Sequence, residues 1–141
     1  MSTVVSTAVA DDVTVLVGKI ITFFETNDAP DGLFADDLFL DFSSSLWRQQ
    51  AGTREDAVAM RRTGHSGLGR VARSRVDITT TGFVMEVEEF LDEAGDHWYA
   101  REMIRADVVD GRIAEVSVYC TGDWDSARVA QHAKQVRLIR P

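Results

Sequence analysis

Between positions 11 and 26 the apolar residues Val13, Leu16, Val17, Ile20, Ile21 and Phe24 recur at i, i+3, i+4, i+7, i+8 and i+11. That spacing draws one stripe down a helix, with Asp11 and Asp12 expected in its first turn, where carboxylates favour the positive end of the dipole. After "NDAPDG" a short helical turn is expected around Leu33, Phe34 and Ala35. The following "DLFLDF" alternates as a strand does, placing Leu38, Leu40 and Phe42 on one face and Phe39 and Asp41 on the other. "GTREDAVAMRRTGH" opens with Thr53 three residues before Asp56 and ends at Gly64, which predicts a capped helix over about 54–63.

From Arg70 onward the period changes to two. Strands are predicted over roughly 71–80, 83–92, 97–109 and 112–121, joined by Gly82, by "EAGD" and by Asp110-Gly111, a dipeptide typical of tight hairpins. Four strands so closely linked form an antiparallel meander. Their length calls for bulges and a strongly curved sheet. A last helix is expected over about 124–135. Helices mostly before an antiparallel sheet define an α+β architecture with helices layered on one sheet face.

Composition narrows the function classes. The 141 residues, 45% hydrophobic and 27% charged, suit one globular domain spanning 1–141. A formal net charge of −8 argues against nucleic acid and anionic membrane partners. The N-terminal "MSTVVSTAVADD" has no basic n-region, and no apolar run approaches the roughly 20 residues of a membrane span, so a cytoplasmic protein is expected. Cys120 is the single cysteine, no His/Cys spacing resembles a zinc site, and no cofactor motif is present; "GLG" lacks the spacing and strand–helix setting of a dinucleotide loop. No metal and no cofactor are therefore expected.

The segments "FADDLFLDF", "GTREDAVAMRR" and "DGRIAEVSVYCTGDWDSARVAQHA" resemble the SnoaL-like branch of the ketosteroid-isomerase-like or nuclear-transport-factor-like superfamily over nearly the whole chain from about Val9. The resemblance implies a curved antiparallel sheet closed into a cone by about three N-terminal helices, plus a C-terminal helix. It implies a small hydrophobic ligand, chemistry of the polyketide-cyclase, isomerase or lyase kind without a cofactor, and a homodimer formed through the outer sheet face. Relatives commonly carry an acid at the end of the first strand and another on the last strand. Those positions fall here near Phe42, with Asp41 beside it, and near Val118, and neither matched position is acidic. Asp41 would reach the cavity only by a one-residue slip that inverts the strand.

Glu102 interrupts the apolar row Trp98, Ala100, Ile104, Ala106 and Val108. A carboxylate there must be paired, hydrogen-bonded or protonated, so it reads either as a general acid/base at the cavity wall or as a structural ion pair with Arg73 or Arg75. His65, at a helix end among glycines, reads either as a proton-transfer group or as a cap. Glu102, His65 and Asp41 are thus the candidate catalytic residues. Trp47, Trp98, Phe42, Phe34, Val118 and Trp124 are the candidate pocket walls, with Trp47 alternatively a plug. Glu86, Glu88 and Glu89 are expected on the outer sheet face opposite Arg101 and Arg105, with Tyr99, Met103 and Tyr119 beside them. Cys120 is read as a small core hydrophobe, and Asp123 or Asp125 as the cap of the last helix, with Trp124 wedged against the sheet. A non-catalytic homodimeric module that binds an apolar ligand or a protein is the rival reading.

Overall fold

The structure is a computed structural model and describes residues 7–141; residues 1–6, the start of the segment read above for a targeting signal, lie outside the described residues. Helix α1 spans Thr7–Thr26 and buries Val13, Leu16, Ile20 and Phe23, with Val17, Ile21 and Phe24 packed beside them. It begins ahead of Asp11 and Asp12, so neither aspartate lies in the first turn and the dipole reading of them does not hold. Asn27 ends the helix in the left-handed region (φ 62°), donating its backbone N–H to Phe23 O at 2.8 Å.

The helical turn expected at 33–35 is absent. A tight turn with Gly32 at φ 81° leads straight into strand β1, Phe34–Ser44, whose first residue already pairs with Ile113. Leu38, Leu40 and Phe42 do share the inward face, and Asp41 points away. β2, Trp47–Ala51, folds back on β1 through Leu46 at φ 65°, a strand the sequence pattern did not announce because its four polar or exposed positions bury nothing. Helix α2, Arg54–Gly64, is capped as expected: Thr53 Oγ1 accepts from Asp56 N at 3.1 Å.

Strands β3 (Gly69–Ile78), β4 (Gly82–Glu93), β5 (Asp96–Val109) and β6 (Arg112–Cys120) form the expected meander, with register shifts at Val71/Arg73 and Asp107/Val108. Asp110 and Gly111 both take positive φ, as a two-residue hairpin of right-handed twist requires. The six strands lie in the order β2-β1-β6-β5-β4-β3. β1 runs parallel to β6, so the sheet is mixed rather than wholly antiparallel; a chain that leaves β1 through β2, α2 and the meander returns beside it in the same direction. α1 packs on β3 and β4, and α2 on β1 and β2. α3, Ser126–Gln135, touches β5 and is capped by Asp125, which accepts from Arg128 N at 2.7 Å. Among the described residues no helix is long and apolar enough to cross a membrane.

Candidate active site

The inward sheet face and the two first helices line a cavity of about 260 Å³, just below the range of ligand sites, which run from about 300 to 1,000 Å³. Most of its wall is apolar: Ile20, Phe23 and Phe24 from α1, Met60 from α2, and Phe34, Leu38, Leu40, Phe42, Ile104, Ile113, Val116 and Val118 from the sheet. Arg61, His65, Glu102 and Asp123 supply the ionisable groups, and Glu89 stands behind Arg61.

Alternation decides which groups reach it. In β5, Ala100, Glu102, Ile104 and Ala106 are buried while Arg101, Met103 and Arg105 are exposed, so Glu102 faces inward between Val87 of β4 and Cys120 of β6. The same parity in β4 buries Phe83, Met85, Val87, Glu89 and Leu91. Glu89 is therefore not part of an outer acidic run: Glu86 and Glu88 face out, Glu89 faces in and is completely buried. Glu88 carries the outer interactions, accepting from Tyr99 OH at 2.8 Å and from Arg73 Nε at 3.4 Å. Arg73 is thus not the partner of Glu102.

The partner of Glu89 is Arg61, which reaches in from α2 one turn beyond the buried Ala57. Its Nη2 lies 2.7 Å from Glu89 Oε1 and its Nη1 3.1 Å from Oε2, a bidentate pair with 9% and 1% of the two side chains exposed. Nη2 also donates to Phe24 O at 3.0 Å, and the guanidinium lies over the Phe24 ring. Burial alone would raise the Glu89 carboxyl, but hydrogen bonds from Glu102 and Arg61 outweigh it and hold Glu89 ionised. Burial would likewise lower Arg61, and Glu89 reverses that.

Glu102 goes the other way. Burial, then the Glu89 charge and the hydrogen bond to it, push its carboxyl well above the ordinary carboxylate range. Its Oε2 is buried with no conventional donor facing it, which a carboxylate could not tolerate but a protonated carboxyl sharing its hydrogen with Glu89 can. Glu89 and Glu102 hold one proton between them, next to one guanidinium.

His65 caps α2 with its backbone N–H on Arg61 O at 2.7 Å and turns its ring into the cavity wall. The capping and the proton-transfer readings are therefore compatible, since one uses the backbone and the other the side chain. Burial and the Arg61 charge keep the imidazole below its ordinary pKa, against the pull of Asp123, Glu89 and Glu93. Nδ1 is buried without a partner, and Nε2 lies 3.7 Å from Asp123 Oδ1, too long for a hydrogen bond but close enough for charge to act. Burial raises Asp123 in turn, with His65 and Arg61 opposing.

Asp123 reaches the site through a bulge. Glu102 pairs with Cys120, and three residues back on β5 Tyr99 bridges Trp124, four residues on, with reciprocal backbone bonds of 2.8 Å. The extra residue falls where Gly122 takes φ 85°. Parity inverts there, turning Asp123 inward and Trp124 outward, where its ring packs on Tyr99 and His132.

Of the residues singled out by sequence, Glu102, His65, Trp47, Phe42, Phe34 and Val118 line the cavity. Three do not. Asp41 lies on the opposite face of β1, held by Arg48 at 2.9 and 2.6 Å. Trp98 is at the β4–β5 hairpin end, its Nε1 bonded to Glu93 O at 3.1 Å, and Trp124 is on the outer face. Trp47 is 67% exposed, so it rims the cavity instead of plugging it. Sequence reasoning missed Arg61, Glu89 and Asp123. Glu89 had a signal, the apolar row Phe83, Met85, Val87 and Leu91 that it interrupts; Asp123 had none, because Gly122 inverts the parity. Cys120 lines the cavity too, with its thiol pushed up to about 12 by burial and by Glu102. Among the described residues no group of three or more His, Cys, Asp or Glu side chains is gathered as a metal site.

No protein-family model matches the chain, and no curated protein matches it in sequence. Solved structures do match. An NTF2-like protein from Anabaena variabilis superposes with a TM-score of 0.71 at 16% identity, covering 87% of this chain and 96% of that one. A ketosteroid isomerase-like protein from Kribbella flavida gives 0.59 at 15% identity, covering 93% and 92%. An LEH-like epoxide hydrolase from M. tuberculosis gives 0.54 at 14% identity, covering 91% and 92%. At such identities the likeness is one of fold: the chain has the α+β fold of the NTF2-like and ketosteroid-isomerase-like proteins, as the sequence resemblance implied.

Proposed function

We propose that the protein is an acid–base enzyme of the isomerase or lyase kind, acting on a small, neutral, largely apolar molecule that carries a carbonyl oxygen. The observation that carries this reading is a buried carboxyl and a buried imidazole on the wall of one apolar cavity, the first pushed above its ordinary pKa by burial and the second held below its own. Opposite pKa displacements of two groups in one site mark an acid and a base.

Glu102 gives its proton to the substrate oxygen while His65 takes one from the adjacent carbon through a ring nitrogen. The C–H electron pair becomes the enol double bond, and the carbonyl π pair becomes the O–H bond. Returning the proton to a different carbon completes an isomerisation; expelling a leaving group completes an elimination, and attack on an internal carbonyl a cyclisation. Asp123 stabilises the imidazolium formed in between. Arg61 has both terminal nitrogens engaged by Glu89 and Phe24 O, with Nε alone left without a partner, and its charge is already balanced by Glu89, which favours a neutral ligand.

The direct test is proton exchange. Neutral cyclic ketones and enones incubated with the protein in deuterium oxide should gain deuterium at the α-carbon, read by proton NMR. Glu102→Gln should cut that rate by about 100-fold or more, the usual contribution of one general acid. Exchange equal to that of buffer across the panel, or undiminished in Glu102→Gln, rejects the reading.

A further inference from the structure

The loop that carries His65 is short of internal support. It runs from Gly64 through Ser66 and Gly67 to Leu68 between α2 and β3, and Ser66 is held only at the surface, by Glu93 Oε1 at 2.7 Å from its hydroxyl. Gly67 passes so close to Asp92 O that a Cβ there would lie 1.7 Å from it, and Leu68 O accepts from Asp92 N at 3.1 Å, so β4 bounds the loop on one side and the other side is left to a second hold.

That hold is Asn27, at the far end of α1. Its Nδ2 donates to His65 O at 2.6 Å and to Gly67 O at 3.2 Å, and its own backbone carbonyl accepts from Arg62 Nε at 3.0 Å. The residue is buried. Residue type follows from two demands at once. The backbone needs a left-handed φ of 62°, which among side-chain-bearing residues Asn and Asp tolerate best. The two carbonyls need two donors from one planar group, which Asn has and Asp and Gly lack. The amide is oriented by those carbonyls, since turning its oxygen toward them would place three acceptors together.

We propose that Asn27 is the positioning residue for His65: by spanning the His65 and Gly67 carbonyls it fixes the loop that holds the imidazole in the cavity wall. Its importance for turnover rests on the catalytic reading of His65 given above; its importance for the place of the ring does not. The groups that face the imidazole are Arg61 from α2, Asp123 after β6, and Glu89 and Glu93 from β4, none of them on the helix that Asn27 ends.

The test is the titration of the His65 ring protons by NMR in the wild type, Asn27→Gly and Ile21→Ala. Glycine keeps the left-handed turn, removes both donors and adds no charge; Ile21→Ala weakens α1 packing without touching the loop. Wild-type His65 should titrate below 6.5, and Asn27→Gly should raise it by about half a pH unit or more as the ring meets water, a shift within the ordinary protein-to-protein spread. Ile21→Ala should lower the melting temperature and leave that titration where it was. An unmoved His65 titration in folded Asn27→Gly overturns the proposal. A titration that moves while deuterium exchange into ketones is unchanged supports the positioning and rejects the catalytic role of His65. If Asn27→Gly does not fold, the wild-type Asn27 side-chain amide decides: slow exchange and couplings to the His65 and Gly67 carbonyl carbons support the proposal, and fast exchange without them overturns it.

Discussion

Glu102 and Glu89 face the same interior from neighbouring strands and are joined by a hydrogen bond, yet only Glu89 is ionised, because Arg61 grips it with two bonds and leaves Glu102 to burial. Two carboxyls and one guanidinium give a net neutral cluster, so the cavity wall holds a transferable proton without an unpaired charge behind it.

The shared proton makes stability depend on pH with a definite sign. The folded pKa of Glu102 is raised above 4.5, so the native state keeps a proton that the unfolded chain releases. Its contribution is complete below pH 4.5 and is lost as pH rises toward the folded value. Glu102→Gln has no proton to lose, so its stability relative to wild type should climb through that window, by at most about 1.4 kcal/mol per pH unit. Urea melts at intervals from pH 4 to 9 measure the difference; a flat difference would mean that Glu102 is ionised in the native protein.

Removing the cation should cost more than removing the pair. Arg61→Met strands the Glu89 charge in the interior, with an expected loss of about 3–5 kcal/mol. Adding Glu89→Gln removes that stranded charge, so the double variant should be more stable than Arg61→Met alone. A double-mutant cycle from denaturant melts checks the order, and a double variant less stable than Arg61→Met contradicts the burial argument.

Fold and site were legible to different depths in the sequence. The meander and α1 were legible from the period of their apolar positions and α2 from its cap and stop signals at Thr53, Asp56 and Gly64, and the alternation along the meander exposed Glu102 as a break in an apolar row. Glu89 obeyed that rule as well, but it sits beside two outward glutamates and the three read as one acidic run. β2 was hidden because four of its five residues are exposed and carry no alternation. Asp123 and Trp124 could not be placed, since a single bulge at a left-handed glycine exchanges their faces. The stretch "TGDWD" in fact does three jobs: Asp123 enters the site, Trp124 packs outside and Asp125 caps α3.

That bulge is open to a direct probe. A Cβ at Gly122 would meet nothing closer than Ser45 Oγ at 3.6 Å, so Gly122→Ala introduces no clash. It does force an L-residue to φ 85°, at a cost of about 1–2 kcal/mol. The variant should fold with a lower melting temperature and with the His65 titration altered, because relaxing the bulge moves Asp123. A lowered melting temperature with His65 unmoved would place the bulge's importance in α3 alone.

Asp123 acts on His65 by charge across 3.7 Å, and the direction is fixed by the groups around it. Burial and Arg61 lower the imidazole while Asp123 is the largest influence raising it. Asp123→Asn should therefore push His65 further below 6.5. Because a depressed histidine costs stability as pH falls from 6.5 through its folded pKa, the variant should lose more stability on acidification than the wild type, over a window that reaches lower pH. For a base that must be neutral to act, the acidic limb of the rate profile should move to lower pH. The plateau should fall at the same time, since the imidazolium formed during proton transfer has lost its counter-charge. Ring-proton NMR and the pH dependence of α-deuteration read the two effects separately, and a titration and an acidic limb that stay where they were in Asp123→Asn would show that the two side chains are not coupled through this contact.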